Sequence, residues 1–236
     1  MLLELKNVAL KLANDSILKK VNLKLKPGNI YLLMGYSGSG KTSLLRILNN
    51  LYSPTEGQFL IDNRNYCEYS PYYIRNKILL SFQKSFFFDD TVENNLKKTL
   101  KIKKRSYEVK TIVKYMKYLG LPDSYLNKSI NTLSVGEQQR INFIRSILFD
   151  PEVFLFDEPT SALDPKLKKR IYKWMSQISK QGKTIVLVTH NLLKSTQIAD
   201  YIIFLDNKTI FFNNTPDIFL NNQSKIIREF REGEDG

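Results

Sequence analysis

The stretch GYSGSGKTS, Gly35 to Ser43, gathers the residue types that phosphate chemistry needs. Gly35, Gly40, Lys41 and Thr42 match G-x-x-x-x-G-K-[ST] at every fixed position. Glycine lets successive backbone N–H groups converge on a polyphosphate without a Cβ in the way. Lys41 is long enough to reach the β- and γ-phosphates, and the Thr42 hydroxyl suits Mg²⁺. Tyr36, Ser37, Gly38 and Ser39 complete the loop, and with Ser43 they are expected to line the same ligand. An ordinary Gly/Ser turn would also fit the composition, but the flanks argue against it. A second pair of chemical groups, Asp157 and Glu158, ends the apolar run Val153 to Phe156. Alone, that pair fits a helix N-cap equally well. Beside a phosphate loop, the first carboxylate is expected to orient Mg²⁺ and the second to polarise an attacking water.

These groups need a scaffold, and the pattern around them supplies one. Ile30 to Met34 is an apolar run of strand length, and Leu44, Leu45, Ile47, Leu48 and Leu51 follow the loop at helical spacing. Strand, glycine-rich turn and helix are the context that turns a motif match into a structural expectation. Residues 2–25 read as two or three strands closing at Pro27-Gly28, and QFLID and Ile78 to Phe82 read as further strands. From Lys84 to Leu133 glycine nearly vanishes and helical patterns dominate. A helix carrying Ile141, Ile144, Ile147 and Leu148 follows, broken by Asp150-Pro151. Beyond it a buried strand, a helix with Leu167, Ile171 and Ile178 on one face, the strand TIVLV and the hairpin YIIFL/TIFF lead into a polar tail. Strands alternating with helices predict a parallel sheet flanked by helices, with the block at about 84–150 inserted into it.

At 236 residues the chain can bury a sizeable core. Its one cysteine, Cys67, excludes a disulfide framework and suits a reducing cytoplasm. MLLELKN does not read as a signal peptide, and no apolar run reaches membrane-span length, so any membrane role is expected to be peripheral. The net charge of +13 fits a solvated lysine-rich surface first, anionic lipid second and nucleic acid last. The lysines are spread along the chain, with the densest run at Lys101 to Lys117.

LSVGEQQR, Leu133 to Arg140, resembles the signature of the ATP-binding subunits of ABC transporters, and the likeness extends along nearly the whole chain. The resemblance implies a single domain over 1–236 with an α/β P-loop NTPase fold. Its RecA-like parallel sheet core would carry an N-terminal antiparallel β subdomain and an inserted helical subdomain. It implies ATP hydrolysis with Mg²⁺ in a head-to-tail dimer that sandwiches two ATP molecules, with the signature residues Ser134, Gly136 and Glu137 facing the nucleotide of the partner subunit. Gln83 falls where the family keeps a glutamine that touches Mg²⁺ and senses a transmembrane permease. Ser161 to Asp164 matches the loop that communicates across the dimer, and His190 matches the histidine that contacts the γ-phosphate. The partners implied are that permease and a second ATPase subunit, with no nucleic acid. Membrane contact would be indirect, from the cytoplasmic face.

Two positions depart from the family pattern. Val135 stands where a second glycine is common, which narrows the backbone options but leaves Ser134 and Gly136 in place. Leu12 stands where an aromatic ring usually stacks on adenine, which leaves base selectivity open; Tyr36 could supply the missing ring. Within the family, LGLPDSYLNKSINTLSVGEQQR with DEPTSALD resembles ATPases paired with a permease proposed to export iron. Amino-acid and lipid transport ATPases resemble it nearly as well, and a soluble ATPase of iron–sulfur cluster assembly is a competing reading. The triplet Phe86-Phe87-Phe88 decides between transporter and soluble forms: exposed, it can grip a permease helix; buried, it is core.

Overall fold

The computed structural model describes residues 1–13, 15–189 and 192–234. Its central sheet is built on β3 (Ile30–Gly35), β7 (Val153–Asp157) and β8 (Thr184–Val188), three strands buried along their whole length. Continuous burial is what parallel strands covered on both faces require. With β6 (Ile78–Ser81), β9 (Tyr201–Asp206) and β10 (Thr209–Asn214) they form a six-stranded sheet in the order β10-β9-β3-β8-β7-β6. Every neighbour pair in it is parallel except β9 with β10. That pair is a hairpin whose two turn residues, Asn207 and Lys208, both have positive φ, as the tight twist of such a turn demands.

Period-two alternation assigns each face of the sheet to its own core. Ile30, Leu32 and Met34 of β3 join one buried cluster, and Tyr31 and Leu33 join the other. The second cluster is closed by α1 (Lys41–Leu48) and by an antiparallel sheet of β1 (Leu3–Leu12), β2 (Asp15–Leu25), β4 (Glu56–Ile61) and β5 (Arg64–Asn65). The short α2 (Pro71–Lys77), capped by the Ser70 hydroxyl, leads into β6.

Between β6 and β7 the chain runs through α3 (Val92–Ile102), α4 (Val109–Tyr118) and α5 (Val135–Phe149). Residues 82–91 are irregular rather than helical, and the buried Asn95 holds them. Its amide donates to Asp89 O at 2.8 Å and Thr91 O at 2.7 Å, and its Oδ1 accepts from Phe88 N at 2.7 Å. After β7, α6 (Pro165–Ser179) starts at Asp164, whose Oδ1 accepts from Lys166 N and Leu167 N. The chain then passes through β8 and the one-turn α7 (Leu192–Ser195). The expected polar tail is instead two helices, α8 (Pro216–Leu220) and α9 (Lys225–Glu234). Phe219, Ile227 and Phe230 turn inward from them and join the first cluster, so their burial outweighs the surrounding charge.

Candidate functional site

The loop between β3 and α1 is held at both ends by close backbone packing. Gly35, at φ 141, lies so near β9 that a Cβ would stand 2.3 Å from Leu205 O. Gly40 caps α1, and no side chain satisfies the cap. The first-turn N–H groups of that helix are therefore presented to the loop side, where they and the helix dipole favour an anion. Lys41 Nζ donates to Gly35 O at 2.7 Å and Tyr36 O at 2.9 Å, which lays its ammonium across the loop. The buried Ser39 hydroxyl has no hydrogen-bond partner among the described residues. An orphaned buried hydroxyl beside a cation and an uncapped helix start is the donor set that a polyphosphate fits.

Two carboxylates stand at the end of β7, and the first of them, Asp157, meets this loop's helix. Thr42 Oγ1 donates to Asp157 Oδ2 at 2.9 Å, so the hydroxyl and the buried carboxylate that suit a hard cation are already in contact. The described residues hold no cluster of three or more acidic, His or Cys ligands. An ion here would complete its shell with phosphate oxygens and water, as Mg²⁺ commonly does. Glu158 sits at φ 50, a conformation that costs a residue with a Cβ about 1–3 kcal/mol. Its N–H donates to Val188 O at 3.0 Å, and its Oε2 accepts from Gln83 Nε2 at 3.0 Å. The strained backbone thus turns this carboxylate toward the segment that follows β6.

Burial above all, and then the charge of Glu158, raises the Asp157 pKa against the opposing Thr42 hydrogen bond and the Lys41 and Arg46 cations. A carboxyl raised in this way stabilises the fold most below its unfolded pKa, and that contribution is lost as pH rises through the folded value. At neutral pH Asp157 therefore costs the nucleotide-free chain stability relative to an uncharged side chain. Asp157→Asn, which can still accept from Thr42, should melt higher at neutral pH without Mg²⁺ or nucleotide, and the gap should close on acidification. A melting temperature equal to or below that of the wild type would contradict this balance.

Ser134, Gly136 and Glu137 lie at the start of α5. Ser134 and Glu137 form a capping box: Glu137 N donates to Ser134 Oγ at 3.3 Å, and Ser134 N donates to Glu137 Oε2 at 2.7 Å. Tyr125 Oη donates to the other Glu137 oxygen at 2.8 Å, so this carboxylate shapes the helix start rather than reaching outward. Val135 is exposed and outside the cap. A Cβ on Gly136 would lie 2.8 Å from Ala162 O, which explains why glycine is needed where α5 meets the loop at 161–164. Gln139, missed by the sequence reading, ties the same two segments: its amide donates to Ser161 Oγ at 2.8 Å, and its Oε1 accepts from Ala162 N at 3.1 Å. The charged surroundings of EQQR hid this buried amide. Leu12 is half-exposed at the end of β1, and His190 lies outside the described residues.

The phenylalanine triplet divides. Phe86 and Phe88 are 61% and 54% exposed, whereas Phe87 packs against the first core cluster. Phe86 and Phe88 line a groove of about 240 Å³ with Leu79, Phe82, Ile102 and Phe149. Arg145 supports it from below: its Nη1 donates to Phe86 O, and its guanidinium lies 4.5 Å from the Phe88 ring centre. Burial pulls Arg145 down to about 10, which leaves it charged at neutral pH.

The chain matches the ABC transporter family over residues 18–161. It is 32% identical over 239 residues to the L-cystine import ATP-binding protein TcyN of Bacillus subtilis (strain 168), covering 97% of this chain and 92% of that protein. It is 34% identical over 213 residues to the glutamine transport ATP-binding protein GlnQ of Geobacillus stearothermophilus, covering 87% of each. In three dimensions it is similar to the dimeric ATP-binding cassette MJ0796 in a post-hydrolysis state bound to ADP and Pi, with a TM-score of 0.81, 31% identity, and coverage of 91% of this chain and 98% of that one. The chain belongs to this family: it is an ATP-binding, ATP-hydrolysing subunit of the ABC transporter family.

Proposed function

We propose that this subunit energises import of an amino-acid-like solute through a permease that docks in the aromatic groove. The class of solute rests on the likeness to cystine and glutamine import subunits. The coupling rests on one observation: Gln83, whose amide meets Glu158 at 3.0 Å, opens the same segment that carries Phe86 and Phe88 into the groove. A permease helix seated there would press on the segment whose first residue holds the hydrolytic carboxylate. Among the described residues no helix is long and apolar enough to cross a membrane. In this proposal the chain is held at the cytoplasmic face by its permease.

In the proposed site, Lys41 and the α1 N–H groups bind the β- and γ-phosphates, and Ser37 to Ser43 line them. Thr42, Asp157 and Gln83 would hold Mg²⁺, which spreads the charge that builds on the phosphoryl oxygens. Glu158 orients and polarises the attacking water. Ser134 and Gly136 approach the γ-phosphate from a second copy of the chain, with Glu137 fixing their helix start. Leu12 would lie against the base, and for His190, outside the described residues, contact with the γ-phosphate is the expectation from its motif. Facing basic surfaces would keep nucleotide-free chains apart until ATP bridges them.

Phe88→Asp, alone or with Phe86→Asp, should release the subunit from its permease during co-purification while leaving ATP affinity unchanged. Phe87→Asp should instead lower the melting temperature, because that ring packs on the core. Retention of the permease by the double variant would remove the docking assignment. The same reconstituted complex tests the solute: stimulation of ATP hydrolysis by amino acids supports the import reading. Stimulation by ferrous iron alone would favour the metal-export alternative, and the absence of any membrane partner would favour the soluble one.

A further inference from the structure

The Tyr36 ring is engaged within the chain. It meets the Phe230 ring edge-on, centroids 5.4 Å apart at 88°, and the Phe204 ring at 6.2 Å and 78°. Phe204 and Phe230 in turn pack at 4.9 Å. The Tyr36 hydroxyl donates to Ile226 O at 3.4 Å, in the first turn of α9. Ile227 and Phe230 anchor that helix in the core beside β9, so Tyr36 rests against a fixed surface. At the other end of the same residue, the Tyr36 carbonyl accepts from Ser39 N at 3.2 Å and from Lys41 Nζ at 2.9 Å. One residue thus joins the C-terminal helix to the turn and to the lysine of the phosphate loop.

We propose that α9 acts through Tyr36 as a positioning element for the phosphate loop, so that Tyr36 and Phe230 set nucleotide affinity without touching the reacting atoms. This rests on the reading of the loop as the ATP site. The direction of the effect follows from entropy: a loop whose first residues are already pinned loses less freedom when its N–H groups close on phosphate. Releasing the ring leaves the loop more conformations to lose and so weakens binding. Gly35, just before, is already pinned against Leu205; Tyr36 extends the pinning into the turn. The aromatic contact also removes Tyr36 from the base: its ring is committed to α9, and the base contact falls to Leu12 or to another group.

The test is a double-mutant cycle on ATP affinity with the full chain, read by equilibrium titration with ATP–Mg²⁺. Tyr36→Ala and Phe230→Ala should each weaken binding about 2- to 10-fold, the range that an aromatic pair contributes. The double variant should be no weaker than the weaker single one, because the two act through one contact. The loss should appear by a larger factor in KM than in kcat, a split that a loss of folded protein alone would not give. Tyr36→Phe, which keeps the ring, should recover most of the affinity. Tyr36 is 43% exposed, so its substitution spares the fold even where Phe230→Ala lowers the melting temperature. Leu96→Ala, which opens the core on α3, controls for stability loss alone and should leave affinity intact. Unchanged affinity in Tyr36→Ala, or losses that multiply in the double variant, would overturn the proposal. If Lys41→Ala also leaves ATP binding intact, it is the reading of the loop itself that fails.

Discussion

Glu158→Gln should slow ATP hydrolysis by roughly 10²- to 10⁴-fold, the usual worth of a positioned general base. The amide is nearly isosteric with the carboxylate and keeps an oxygen to accept from Gln83 Nε2, which now lies 3.0 Å from Glu158 Oε2. The backbone at φ 50 makes the same demand on either side chain. What is lost is the carboxylate's negative charge and, with it, proton acceptance. ATP binding relies on Lys41, the α1 N–H groups and Thr42, and should persist. With hydrolysis stalled, ATP should hold two copies together, so light scattering should report a dimer with ATP and a monomer without it. A variant that stays monomeric with ATP would mean that the sandwich needs the permease to form. Turnover at the wild-type rate would remove Glu158 from the chemistry.

The chemistry was legible in the sequence because each motif is local. Gly35 to Ser43 declares its turn and its helix within one short stretch, and an apolar strand ending in Asp157-Glu158 needs no distant information. What was hidden depends on contacts between remote segments. The Gln83–Glu158 hydrogen bond spans 75 positions, and the Thr42–Asp157 bond spans 115. The resemblance implied neighbours at the site, but not which atoms meet. The C-terminal helices were read as a polar tail because Ile227 and Phe230 stand among Lys225, Arg228, Glu229 and Arg231. Their three-residue spacing was the available signal, and only packing against Phe204 of β9 and the first core cluster gives it meaning. Likewise Phe86, Phe87 and Phe88 are identical in type, and the irregular backbone fixed by Asn95 decides which of them faces inward.

Lys41→Ala should weaken ATP binding by roughly 30- to 5000-fold, because removing one member of a buried, hydrogen-bonded charge pair costs about 2–5 kcal/mol. In the structure, the ammonium donates to the carbonyls of Gly35 and Tyr36 at 2.7 and 2.9 Å, in the middle of the loop that would wrap the phosphates. Phosphate charge is present in the ground state as well as in flight, so the loss should appear in affinity before it appears in turnover. This separates Lys41 from His190, whose substitution by alanine is expected from the sequence motif to spare binding and impair hydrolysis. It also separates Lys41 from a structural role. Hydrogen bonds of this kind contribute about 0.5–3 kcal/mol each at most, and the loop carbonyls can turn to water when the lysine is gone. The melting temperature without nucleotide should therefore move little, while the rise that ATP–Mg²⁺ gives the wild type should largely disappear, since ligand stabilisation scales with the logarithm of concentration over Kd. Titration and melting curves on the two proteins, with and without nucleotide, measure both quantities. An alanine variant that melts far below the wild type without ligand would make Lys41 a structural lysine, and one that keeps its ATP-dependent rise would place the phosphates elsewhere.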